Sequence, residues 1–109
     1  MINRDSAQLE CMNKEVEFII ETTAGVSKDE FLKNELLQHA VCMSIITIGE
    51  CANHLSEEFT EKHTDIQWMQ IVGIRNMTAH GYRRLNMEQI WEAIITDVPR
   101  LRQFLSQFV

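Results

Sequence analysis

The chain of 109 residues is 45% hydrophobic and 24% charged, the composition of one ordinary globular domain over residues 1–109 and not of a disordered or fibrous segment. A single Pro and four Gly argue against an all-β fold with many tight turns, and no run approaches the roughly 18 apolar residues that a membrane span needs. The net charge of −6, taken alone, argues against a nucleic-acid partner, because phosphate contacts need local positive charge. The polar start (Asn3, Arg4, Asp5, Ser6) lacks the pattern of a signal peptide, so a cytoplasmic location is expected. Cys11, Cys42 and Cys51 form an odd set without a Cys-x-x-Cys pair, and reduced, buried cysteines are expected.

In chain order, Ile2, Leu9, Met12, Val16, Ile19 and Ile20 recur at three- and four-residue spacing. They predict an amphipathic helix of about 20 residues that stops near Thr22 to Gly25. Ser27 with Glu30 three residues later is a capping box that starts a second helix at Lys28, and Asn34 is placed to cap again. From Glu35 to about Glu61 the apolar positions predict one long, buried spine helix. Glu50 is the charged exception in its apolar centre, and such a carboxylate needs a partner.

Thr64 and Asp65 predict a helix beginning at Ile66 and ending near Gly81. Asn86 predicts the cap of a last helix carrying Ile90, Trp91, Ile94, Val98, Leu101 and Leu105, with Pro99 expected to kink or break it after Asp97. Trp68 and Trp91 are expected in the core. With no repeat or long linker, the fold predicted is an all-α, up-down bundle of four to five helices.

Charge is unevenly placed. Up to residue 65 the chain has five basic and thirteen acidic side chains; after it there are five basic, all Arg, and three acidic. Within that second part, residues 73–84 read Gly-Ile-Arg-Asn-Met-Thr-Ala-His-Gly-Tyr-Arg-Arg. Imidazole takes and gives a proton near neutral pH, and a guanidinium neutralises phosphoryl charge without titrating. His80 and Arg75 therefore suit metal-free RNA cleavage by attack of a ribose 2'-OH. Arg75 lies about 140° from His80 around an ideal helix, so either the helix ends between them or they meet across a dimer axis. Arg83 and Arg84 fit a solvated turn and RNA-phosphate contact equally well. No metal site is predicted, because His39, His54 and His63 lack neighbours at ligand spacing.

Arg75-Asn76, His80 and Tyr82 spell R-N-x3-H-x-Y, which resembles the signature of the HepT-like branch of the HEPN (higher eukaryotes and prokaryotes nucleotide-binding) domains. The resemblance extends to Ile48-Gly49-Glu50 with Ala52-Asn53, to Asp65-Ile66-Gln67-Trp68, and to Ile90-Trp91 followed by Asp97-Val98-Pro99 and Leu101, so it covers essentially the whole chain. Many relatives have Pro where Asp65 stands here.

The resemblance implies a homodimer with two motifs facing across a cleft. It also implies a metal-independent ribonuclease toxin without a cofactor, paired with an MNT-type nucleotidyltransferase antitoxin. By the same resemblance Arg75 and His80 are catalytic, Asn76 orients them or the phosphate, and Tyr82 is the residue the antitoxin adenylylates. Glu50 has a supporting place, a hydrogen bond to the motif, and Arg83 and Arg84 contact RNA phosphates. The competing expectation is a non-catalytic module that binds a nucleotide or a nucleotidyltransferase.

Overall fold

The first amphipathic run folds as α1 (Arg4–Thr23), in a computed structural model that describes residues 4–73 and 86–109. Met12, Val16 and Ile19 are fully buried and lie on one helix face, as their three- and four-residue spacing requires. At its end the Thr22 and Thr23 hydroxyls donate back to the carbonyls of Phe18 and Ile19, at 2.8 and 2.7 Å. Gly25 then turns the chain with φ of +75°, a backbone region that L side chains disfavour.

The expected capping box is present. Ser27 Oγ accepts from the Glu30 amide at 3.2 Å, and the Glu30 carboxylate accepts from the Ser27 amide at 3.0 Å. The Ser27 amide, and after it the Ser27 hydroxyl, hold the Glu30 carboxyl below its ordinary pKa, and the box starts α2 (Lys28–Lys33). Asn34 caps again, its Oδ1 accepting from the Leu37 amide at 3.0 Å, and α3 (Glu35–Asn53) begins. Phe31 is fully buried and meets Trp91 with ring centroids 5.4 Å apart. Buried Gln38 donates to the Phe31 carbonyl at 2.9 Å, so the polar group enters the core with its bond made.

The spine helix is shorter than predicted. It stops at Asn53, and α4 (Glu57–Lys62) is separate. His54 Nδ1 meets the Glu50 carbonyl at 2.7 Å, and Ser56 Oγ caps α4 by accepting from the Phe59 amide at 3.1 Å. The start of α1 locks this corner from across the fold. Asp5 accepts from the Ser56 amide and hydroxyl at 2.8 and 2.7 Å, and Arg4 Nε donates to the His54 carbonyl at 2.8 Å. Those bonds join residues some 50 positions apart, which a local pattern does not reveal.

The next helix, α5, runs over residues 68–73 and starts two residues later than Asp65 suggested. Gln67 is the residue whose carbonyl receives the Ile71 amide, at 3.2 Å. Buried Ile66 and Trp68 fasten its start, and Trp68 Nε1 donates to the His63 carbonyl at 2.9 Å. The predicted stop at Gly81 lies outside the described residues.

Asn86 does cap α6 (Met87–Glu92), accepting from the Glu88 amide at 2.9 Å. Helical structure continues through Pro99 without a break. A π-helical turn over Ala93–Asp97 leads into α7 (Val98–Leu105), with Pro in its first turn. Proline supplies no amide hydrogen and crowds the carbonyl four residues earlier, so a wider turn ahead of it accommodates both demands.

The core forms where α1 lies along α3, with α7 against α1 and α2 wedged between α3 and α6. No strand occurs among the described residues, and none of their helices is long and apolar enough to cross a membrane.

Candidate active site

Arg75, Asn76, His80, Tyr82, Arg83 and Arg84 lie outside the described residues, and buried residues precede and follow them in the chain. Before them, α5 hangs from Ile66 and Trp68, which are 7% and 8% exposed; after them, Ile90 and Trp91 are 5% and 8% exposed. Both tryptophans are core residues, as expected. In the sequence the motif thus lies between two pairs of buried anchors.

Glu50, the remaining candidate, is half-buried on α3. Its carboxylate stands near the place where Cys51 meets Cys11 of α1. Burial pushes the Cys51 thiol up to about 12, and the hydrogen bond with Cys11 and the charges of Cys11, Glu15 and Glu50 add to the rise. Burial likewise pushes Cys42 up to about 11. Thiols held protonated in this way are poor nucleophiles. All three cysteines are free; Cys42 and Cys51 are buried as expected, whereas Cys11 is half-buried.

Of the two described arginines in the second part, Arg102 is engaged with Glu17 of α1, Nε to Oε1 at 2.8 Å. Arg100 is exposed. His39 and His54 are exposed, and His63 is half-buried among rings, 4.5 Å from Phe59 and 5.4 Å from Phe104 between centroids. Among the described residues no three His, Cys, Asp or Glu side chains are grouped to hold a metal.

A feature that periodicity did not signal is a cavity of about 110 Å³ between α3, α5 and the π turn with α7. Its floor is aliphatic: Ile45, Ile48, Ile66, Ile71, Val98 and Leu101. Asp65, Gln67, Gln70, Asp97 and Arg100 also line it and are exposed, forming a polar rim. Two stretches that carried the family resemblance, around Ile66 and around Val98, thus face one another across this opening. Sequence periodicity could identify each as a buried helix face but not that the faces stop short of contact.

Comparison with known proteins gives a consistent result. The family described as "Ribonuclease HepT-like" matches residues 12–108. A protein of Caldanaerobacter subterraneus subsp. tengcongensis named "Putative RNase" is 36% identical over 101 residues, covering 93% of this chain and 90% of the relative. Another "Putative RNase", from Methanocaldococcus jannaschii, is 37% identical over 81 residues, 74% of this chain and 67% of the relative. The "Probable ribonuclease HepT" of Thermococcus cleftensis is 27% identical over 94 residues, 86% of each chain. No solved structure matches significantly.

Proposed function

Because the chain belongs to the HepT-like ribonuclease family, we propose that it is a metal-independent endoribonuclease toxin, active as a homodimer and silenced by a nucleotidyltransferase antitoxin. The observation that carries this reading is the family match over residues 12–108, which contains Arg75, Asn76, His80 and Tyr82 in the spacing R-N-x3-H-x-Y.

In the reaction, the ribose 2'-oxygen attacks the adjacent phosphorus and the bond to the 5'-oxygen breaks. The products are a 2',3'-cyclic phosphate and a 5'-hydroxyl. His80 accepts the 2'-proton or protonates the leaving oxygen; two copies across a dimer axis supply both. Arg75 neutralises the extra charge on the five-coordinate phosphorus. Asn76 and Glu50 orient these groups, and Arg83 and Arg84 hold flanking phosphates.

Adenylylation of Tyr82 transfers AMP from ATP to the phenol oxygen with loss of pyrophosphate. The added phosphodiester places a negative charge two residues from His80 and competes with RNA phosphate. Dimerisation is supported by apolar side chains left in solvent. Leu36 and Met43, two turns apart on α3, are 81% and 63% exposed, and Met69 on α5 is 86% exposed, more than a monomer gains by exposing.

The test is RNA cleavage by the purified protein in EDTA, with analysis of product ends. Cyclic phosphate ends are expected from the parent, and at least a hundredfold less cleavage from His80→Ala. A strict Mg2+ requirement counts against the reading. A non-catalytic binding module instead predicts no cleavage under any condition, with partner binding intact in Arg75→Ala and His80→Ala. Intact mass after co-expression with the antitoxin tests the silencing step: an AMP increment is expected and is absent in Tyr82→Phe.

A further inference from the structure

The cavity beside α5 has the chemistry of a base-recognition site, and we propose that it is a subsite for one RNA base, guanine, an inference that rests on the ribonuclease reading. Its floor offers flat aliphatic contact and its volume of about 110 Å³ is of the size of a single planar ring system, not of a peptide segment. The apolar floor removes the base from water, and the rim supplies the hydrogen bonds that distinguish one base from another.

The rim is mixed in a way that matches guanine. Asp65 and Asp97 are acceptors, Arg100 is a donor, and Gln67 and Gln70 are both. Guanine presents O6 and N7 as acceptors for a guanidinium and an exocyclic amino group as a donor for a carboxylate. One carboxylate can accept from guanine N1–H and the amino group together, a pair of adjacent donors that adenine, cytosine and uracil lack. Among the described residues these five side chains make no hydrogen bond or ion pair with one another or with a neighbour, so their polar groups are available to a ligand.

The location fits an enzyme that cuts next to a bound base. Arg75 is four residues after Ile71 of the cavity wall, so the cavity and the motif are neighbours in the chain. Seating the base would fix which phosphate meets the reacting groups, a positioning effect and not a chemical one.

The experiment titrates the full-length protein with guanosine, adenosine, cytidine and uridine, following backbone amide shifts by NMR, alongside cleavage of RNA oligomers that differ in one base. Ala93→Leu fills the cavity from a half-buried helical position, and Gln70→Ala trims the exposed rim while leaving the core intact. Guanosine should shift amides of α5 and the π turn and bind on the order of tenfold tighter than uridine. That binding should be lost in Ala93→Leu, and the preference should shrink in Gln70→Ala.

Uridine binding as tightly as guanosine, shifts away from the cavity, or shifts unchanged in Ala93→Leu overturn the proposal. So do cavity shifts that depend only on protein concentration, which assign the opening to a second copy of the chain. RNA cleavage without nucleoside binding removes the subsite and leaves the ribonuclease. Guanosine binding at the cavity without RNA cleavage removes the ribonuclease and leaves the site.

Discussion

The last helix meets the rest of the protein in two ways. Toward its C-terminal end Phe104, together with Phe108 of the turn that follows, joins Phe59, His63 and Trp68, with centroids 5.3 to 6.4 Å apart in the contacts of Phe104. Toward its start Val98 and Leu101 face Ile45, Ile48 and Ile66 across an opening of about 110 Å³. Large rings tilted edge to face reach across the gap between helices and close it. Aliphatic side chains on the same helices do not, and leave a floor with a polar edge. The aromatic end serves stability and the open end is where we place recognition, a division set by side-chain reach.

The largest test of this contrast is Phe104→Ala. The ring is 4% exposed and its loss should cost about 4 kcal/mol in chemical denaturation. Leu101→Ala, 6% exposed but opening on the cavity, should cost only about 2 kcal/mol, because part of its surroundings is already empty. Equal losses from the two would mean that the cavity is closed in solution.

Asp5→Ala removes two of the three long-range bonds that hold the α3–α4 corner, from which Phe59 reaches the aromatic end. It should lower stability by about 1 to 2 kcal/mol and leave nucleoside binding at the open end unchanged. An effect on both ends would show that the corner carries the cavity wall as well.

Alkaline titration separates both ends from the α1–α3 seam. Cys42 and Cys51 are raised in the fold, from 9.0 to about 11 and about 12. Their contribution is therefore complete below pH 9 and is lost as pH rises from there through the folded values, since the unfolded state releases the protons first. Thermal melts should fall over that range, less steeply in Cys42→Ala, and iodoacetamide at pH 8 should label Cys11 in the native protein before either of the others. The smallest effect expected is the coupling between Arg102 and Glu17. Their side chains are 54% and 35% exposed, so a double-mutant cycle should give less than about 1 kcal/mol and vanish at high salt.

Local signals were legible wherever one residue type does one job. Ser27 with Glu30, Asn34 and Asn86 cap helices through bonds that span only two or three residues, and a sequence contains all that such a bond needs. The corner at His54 to Ser56 was not legible, because α3 and α4 are both helical by pattern and the break is held by Arg4 and Asp5 from the other end of α1. Pro99 signalled a disturbance but not its form, since the choice between a break and a π turn depends on whether Ile94 and Val98 can both stay buried. At the candidate site, Arg75 and His80 stood out by residue type, and the roles expected of Asn76 and Tyr82 rest on a family resemblance; the comparisons bear out the family. The seat of Glu50 at the Cys11–Cys51 contact was not, because it depends on which turn of α1 meets which turn of α3.

The sequence by itself determined the all-α class, the helix starts marked by caps, the two tryptophan anchors and the family, because each is written in spacings of a few residues. Tertiary structure alone decided the split of the spine helix, the elevated thiols and the cavity. Each of these depends on distances between side chains far apart in the chain, and those are set only when the helices pack.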